Sequence, residues 1–196
     1  MAIAQKPMIW QDRLQDMLNK ARQDLRSGAM TEAYQANRQE VVQLLTRAQA
    51  GEWTAFLQYW HHYFMSSDIH SAEIREFFKK QAMGELEHAR RVGERIQLLG
   101  GVPCDAPREI ADVSPLQVSY GQNLRSMLEE DLIGERATIA FYAGIVRYCG
   151  DKDIVTRVMF EEFLADEEED ADEICTLLYA ISPNSNQPIP DLHGGR

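Results

Sequence analysis

The stretch GEWTAFLQYW, residues 51–60, sets one carboxylate, Glu52, among large apolar side chains. An ionised carboxylate in such surroundings needs a partner, because desolvating an unpaired charge is expensive. The same arrangement recurs along the chain. Glu85 is followed three residues later by His88, Glu135 lies one turn after Asp131, and Glu167 is followed three residues later by Asp170. Residues three or four apart are neighbours on a helix surface. Oxygen and imidazole donors gathered in one place suit iron and manganese.

These groups meet only if helices bring them together. The helical period dominates the sequence, and no alternating strand pattern persists. Residues 8–27 read as an amphipathic helix carrying Trp10, Leu14, Met17, Leu18, Ala21 and Leu25 on one face, with Gly28 as its stop. Asn37 to Glu40 has the form of a capping box, although a start near Thr31 also fits. A long helix then runs to about residue 66, where SSDIHS breaks it and Ser71 can cap the next. That second helix ends at Gly100-Gly101. Residues 101–114, with two prolines and little periodicity, read as a long connection. A third helix covers about 119–149 and stops at Gly150; Asp153 can cap a fourth that runs to about 181 and closes at Pro183.

Each long helix has one apolar stripe with an acid near its middle. The first stripe is Val41, Leu45, Ala48, Glu52, Phe56, Tyr59 and Tyr63, and the second runs from Ile74 through Phe78, Ala82, Glu85, His88, Val92 and Ile96. The third is Leu124, Leu128, Asp131, Glu135, Ile139, Tyr142 and Val146. In the fourth, ADEEEDADE offers many acids, and phase decides between them. Glu167 shares the face of Phe160, Phe163, Ala171 and Ile174, whereas Glu168 is rotated away by about 100° and Glu169 by about 200°. Alone, each of these acids would read as a rim residue or as the partner of an arginine. The acidic run would read as a solvated face. Four helices in the same phase make a shared site the better account. Four buried negative charges would repel one another, and one or two metal ions would relieve that.

The fold class expected is therefore all-α: a four-helix bundle over 38–182 with a long crossover between its second and third helices. An extension over 1–37 carries the short helix, and a polar tail over 183–196 is loosely ordered. Acids outnumber bases by 31 to 20, which argues against nucleic acid as a partner. Cys104, Cys149 and Cys175 are odd in number and far apart, so neither a disulfide framework nor a CxxC metal site is visible. Neither a secretory signal nor a membrane-spanning run is apparent, and a cytoplasmic location is expected.

The constellation resembles the ferritin-like superfamily, most closely its bacterioferritin and Dps-like branch. The resemblance covers about residues 40–180 and rests on GEWTAFLQYWHH, ELEHARRVGERIQLLGGVP, DLIGERATIAFY and FLADEEEDADEI. It implies that Glu52 and Glu135 are terminal ligands, that Glu85 and Glu167 bridge two iron ions, and that His88 binds one of them. It implies Tyr59 as a hydrogen-bonding tyrosine beside the site. It implies a ferroxidase that oxidises Fe2+ with O2 or H2O2, within a homo-oligomeric iron-storage cage of 12 or 24 subunits. Manganese or zinc would be substitutes for iron.

The chain departs from the pattern in two places. Asp170 stands where the family has a fourth-helix histidine, which leaves its role as a ligand open. Leu86 stands at the position of the haem-binding methionine, so no haem of that kind is expected. Some Dps-like relatives place a cysteine pair near the metal site; Cys149, before Asp151-Lys152-Asp153, resembles that pattern, with Cys104 as a candidate mate. A rubredoxin-type CxxC pair is absent. Two other readings stay open. One is a non-storage di-iron or di-manganese oxidase or catalase in a small oligomer. The other is a helical interaction module whose acids are satisfied by Arg90, Arg91, Arg95, Arg125, Arg136 or Arg147, although their helical phases mostly point away from the acid stripe.

Overall fold

Asn37 shows how local chemistry sets the first boundary of the bundle. Its side-chain oxygen accepts from the backbone N–H groups of Gln39 and Glu40 at 3.1 and 3.4 Å, and its Nδ2 donates to Glu40 Oε1 at 2.8 Å. This satisfies N–H groups that the first helical turn leaves without partners. The helix therefore starts at Arg38, and the earlier start near Thr31 is replaced by a turn in which Tyr34 N–H bonds Thr31 O at 3.0 Å.

The computed structural model describes residues 10–23, 25, 28–66 and 72–181, which contain six helices and no strand. These are α1 (Trp10–Gln23), α2 (Arg38–Met65), α3 (Ala72–Leu98), α4 (Pro107–Val113), α5 (Leu124–Cys149) and α6 (Ile154–Ala180). Two units are distinguished, Met1–Gln35 and Ala36–Arg196. In the first, Trp10, Leu14, Met17 and Leu18 are exposed, and Gly28 adopts φ +61° as the chain turns after α1. Ser71, His70, Pro183 and the tail with His193 lie outside the described residues.

The second unit is built from four long helices. Cross-helix contacts fix their directions. Gln49 Nε2 donates to Ala89 O while His62 packs on Phe78, and Gln58 Nε2 donates to Asp131 Oδ1 while Tyr142 donates to Glu52 Oε1, so α2 runs antiparallel to both α3 and α5. Arg91 meets Glu162 while Lys80 meets Glu173, which sets α3 antiparallel to α6. Arg125 bonds Leu178 O while Tyr142 packs on Phe160, which does the same for α5 and α6. Val41 and Tyr59 on α2, Phe78 and Ile96 on α3, Leu128 and Ile145 on α5, and Phe160 and Ile174 on α6 are all buried. On every long helix such apolar residues lie both before and after the carboxylate, so the acids sit between two apolar layers.

Two stretches differ from the expectation. Residues 101–114 are not wholly irregular: Pro107 opens the seven-residue helix α4, too short for a periodic signal, which packs on α2. The third long helix starts at Leu124 rather than near 119. Asn123 and Ser126 form a capping box there, with Ser126 N–H on Asn123 Oδ1 at 2.9 Å and Asn123 N–H on Ser126 Oγ at 3.0 Å. Gly121 precedes it at φ +61°, where a Cβ would come within 2.7 Å of Met127 N, so only glycine fits. Residues 115–123 instead continue the crossover. Polar side chains of α2 hold it: Gln49 Oε1 accepts from Cys104 N–H at 2.7 Å, Thr54 bonds Ser114 at 2.8 Å, and Gln58 Oε1 accepts from Ser119 N–H at 2.7 Å.

The other termini follow the sequence. Gly100 (φ +79°) and Gly150 (φ +44°) end α3 and α5, and Asp153 caps α6 by accepting from Thr156 N–H at 3.0 Å. Arg95 ties that cap to α3, donating to Asp153 at 2.7 Å and to Thr156 at 2.9 Å. No described helix is long and apolar enough to cross a membrane. All three cysteines are free thiols; burial, foremost, pushes Cys104 and Cys149 up to about 11.

Candidate metal centre

The four stripe glutamates converge. Glu52, Glu85, Glu135 and Glu167, one from each long helix, are all buried, while Glu168 and Glu169 are exposed. One ligand atom each from Glu52, Glu85, His88 and Glu167 lies within 4.8 Å of the others. Glu135, equally buried, lies near enough to Glu167 for their charges to act on each other, as do those of Glu52 and Glu85. Burial is the largest influence on all four, holding each well above the usual carboxylate range, and the charges of the other acids push the same way.

Two tyrosines clamp the outer pair. The Tyr59 hydroxyl donates to Glu135 Oε1, and the Tyr142 hydroxyl donates to Glu52 Oε1. Each tyrosine stands seven residues after the glutamate of its own helix and serves the glutamate of the other. Burial and the neighbouring carboxylates hold the Tyr59 hydroxyl well above its ordinary range, which keeps it a neutral donor. Tyr142 reads from sequence as core first and hydrogen-bond donor second; the repeated Glu-to-Tyr spacing of seven is the signal for its partner.

His88 presents an open nitrogen. Its ring packs on Phe163 at 4.1 Å between centroids, and its Nε2 lies 3.4 Å from Asp166 Oδ2. Nδ1 points inward, 3.2 Å from Glu167 Oε1 and 3.8 Å from Glu52 Oε2. Neither His88 Nδ1 nor Glu167 Oε1 has a hydrogen-bond partner, although both are buried. Burial lowers the pKa of His88, and a neutral ring with its proton on Nε2 leaves the Nδ1 lone pair facing the carboxylates. Buried polar atoms are almost always paired. An orphan nitrogen beside an orphan carboxylate oxygen fits a cation between them.

Arginine does not supply that cation. Among the described residues, Arg90 pairs with Glu87 and Glu94, Arg91 with Glu162, Arg95 with Asp153 and Arg125 with Glu129. Arg136 and Arg147 are exposed. The donor set is thus five or six oxygen and nitrogen ligands without a counter-charge, which fits a pair of divalent ions.

Asp170 lies at the edge of the group, half-buried, with Oδ1 accepting from Gln81 Nε2 at 2.8 Å. Burial raises its pKa, while the Gln81 amide and the Lys80 charge favour the anion. Asp131, one turn before Glu135, is used differently. It accepts from Gln58 at 2.8 Å and pairs with His62 Nδ1 at 3.0 Å, while His62 Nε2 meets Ser119 O at 3.2 Å. This network holds the crossover to α2 and α5. His62 reads from sequence as packing or solvent contact, and its link to Asp131 depends on a helix pairing the sequence does not display. A cleft of about 260 Å3 between α2, α5 and the crossover has Tyr59 and Glu135 in its wall.

The geometry agrees with comparisons to known proteins. Residues 42–182 match the model of the ferritin-like domain. A bacterioferritin of Brucella melitensis is 34% identical over 141 residues, covering 71% of this chain and 83% of that protein. Among solved structures, the Desulfovibrio desulfuricans bacterioferritin, described with a diiron site, superposes with a TM-score of 0.68 at 27% identity, covering 76% of this chain and 84% of its own. A dodecameric thioferritin from Bacteroides fragilis superposes with a TM-score of 0.68 at 25% identity, covering 74% and 90%.

Proposed function

The chain belongs to the ferritin-like domain family, and from that premise we propose that it oxidises Fe2+ to Fe3+ with O2 or H2O2 as acceptor and stores the product within a homo-oligomeric cage. The observation that carries this reading is the buried group of Glu52, Glu85, His88, Glu135 and Glu167, drawn from four helices and, among the described residues, without a lysine or arginine paired to it. Glu52, Glu85 and His88 would hold one ion; Glu135, Glu167 and Asp170 would hold the other, with Glu85 and Glu167 placed between the two.

Two ferrous ions side by side supply the two electrons that reduce dioxygen to hydrogen peroxide, or hydrogen peroxide to water. The chain's own residues do the rest. The protons that burial favours on these carboxyl groups leave when cations enter, because the positive charge replaces them. Tyr59 and Tyr142 keep the outer carboxylates aimed inward as the charge changes. His88 Nδ1 offers a neutral donor, with Asp166 beside the opposite nitrogen. The apolar layers above and below exclude bulk water, and the cleft beside Tyr59 and Glu135 gives a small reactant a way in.

The test is aerobic addition of Fe2+ to the metal-free protein, followed through the near-ultraviolet absorbance of the ferric product and the iron retained per chain. Glu85→Ala and Glu135→Ala abolish the rapid phase. Oxidation at the wild-type rate in both variants would remove the site from the account. Asp170 favours one second reading, a manganese-using oxidase or catalase in a small oligomer, because it exchanges a nitrogen donor for oxygen. A small particle by size-exclusion mass, together with rapid peroxide dismutation and no iron retention, would select it.

A further inference from the structure

The two halves of the bundle place equivalent residues at equivalent positions. Glu52 and Glu135 each precede a tyrosine by seven, and Glu85 and Glu167 each precede a second donor by three. The halves diverge at one pair of contacts. Four residues before Glu167, Phe163 packs against the His88 ring at 4.1 Å. Four residues before Glu85 stands Gln81, only 3% exposed, whose Nε2 donates to Asp170 Oδ1 at 2.8 Å. A ring supports a ring in one half, and an amide supports a carboxylate in the other.

The second contact is more than a rim pairing. Asp170 is near enough for its charge to act on Glu85, Glu135 and Glu167 together. Gln81 occupies one carboxylate oxygen and leaves Oδ2 for a ligand. Glu167, buried one turn earlier on the same helix, turns Oε1 toward His88 Nδ1 at 3.2 Å, so Oε2 is the oxygen it would offer beside Asp170. Amides that fix a ligating carboxylate are outer-shell partners whose loss weakens metal binding.

We propose that Gln81 is a positioning residue that makes Asp170 a metal donor, so that the position formed by Glu135, Glu167 and Asp170 is all-oxygen and harder than the position containing His88. The inference rests on the two-metal reading above. Imidazole suits zinc and iron, whereas carboxylate oxygen suits manganese. The preference for Zn2+ over Mn2+ is therefore smaller at the Asp170 position than at the His88 position.

Anaerobic titration calorimetry of the full-length, metal-free protein with Zn2+ and with Mn2+ tests this, with bound Mn2+ counted by electron paramagnetic resonance. Wild type takes Zn2+ in two resolved steps, and after one equivalent of Zn2+ the remaining position accepts Mn2+. Gln81→Leu weakens that Mn2+ step by about 10–100-fold and leaves the first Zn2+ step unchanged, which also reports an intact fold. The double variant Gln81→Phe/Asp170→His rebuilds the second half on the pattern of the first, and its two Zn2+ steps become alike. Two equal Zn2+ steps in wild type, or an unchanged Mn2+ step in Gln81→Leu, overturns the proposal. Loss of both steps in that variant with wild-type circular dichroism overturns it as well. Wild type that binds neither ion overturns the two-metal reading itself.

Discussion

Tyr142→Phe removes one oxygen from the centre of the bundle. The ring of Tyr142 is 1% exposed and packs edge-on against Phe160 at 4.8 Å, with Phe163 at 6.3 Å. Phenylalanine keeps that packing, so the change is confined to the hydroxyl that donates to Glu52 Oε1. Losing a donor to a buried acceptor costs about 1–3 kcal/mol. Burial disfavours the charged form of Glu52, which places the cost for the metal-free protein near the lower end, about 1 kcal/mol. Metal binding should suffer more, because Glu52 must ionise and stay aimed at the ion. Loss of an outer-shell partner lowers affinity about 10–100-fold, equivalent to about 1.4–2.7 kcal/mol. The loss falls on the ion nearest Glu52 and His88, because Glu135 takes its hydrogen bond from Tyr59 instead. Tyr59→Phe weakens the other ion. Urea unfolding of the metal-free proteins gives the first quantity, and anaerobic Fe2+ calorimetry gives the second. Equal weakening of both ions by either variant, or no weakening by both, refutes the cross-helix clamp.

Further outcomes follow from the same contacts. Glu52, Glu85, Glu135 and Glu167 all have pKa values raised above the unfolded value of about 4.3, so the metal-free folded state binds more protons than the unfolded state above that pH. Its stability therefore falls as pH rises from about 4.5 toward neutrality, and thermal melts of metal-free protein at about pH 5 and 7 check this. His88, with a lowered pKa, contributes with the opposite sign: below about 6.5 its unfolded state takes the proton more readily, so it favours the higher pH, one group against four. Adding Fe2+ or Mn2+ reverses the trend, because bound cations displace protons from these carboxyl groups. His62→Ala leaves Asp131 buried with Gln58 alone and costs about 1–3 kcal/mol by urea unfolding. The purified protein shows no Soret absorption after incubation with haem, because Leu86 offers no axial ligand.

The acid stripes were legible because two signals coincide in them. A helical period defines a face, and a carboxylate on that face has no cheap alternative partner. Phase alone separates Glu167 from its neighbours in the acidic run, and the structure buries Glu167 while leaving Glu168 and Glu169 in solvent. Contacts between helices were not legible. Tyr142 stands on its stripe and Gln81 goes unmarked on the second long helix, and their partners are set by the antiparallel register of α2 with α5 and of α3 with α6. His62 and Asp131 are similar: one is next to a core stripe, the other on one, and only the crossover passing Ser119 makes them a network. The helix α4 is shorter than two full periods of a reliable pattern, and the start of α5 was hidden because Asn123-Leu-Arg-Ser126 lacks the Glu or Gln of the familiar capping box.

The central claim is that four helices deliver their carboxylates to a shared pair of metal ions. Anomalous diffraction at the iron edge, from crystals of the full chain grown with Fe2+ under anaerobic conditions, tests it most directly. The account predicts two iron peaks enclosed by Glu52, Glu85, His88, Glu135, Glu167 and Asp170, both lost in Glu85→Ala/Glu135→Ala. Iron peaks confined to the exposed acids of α6, with none among the buried carboxylates, would contradict it.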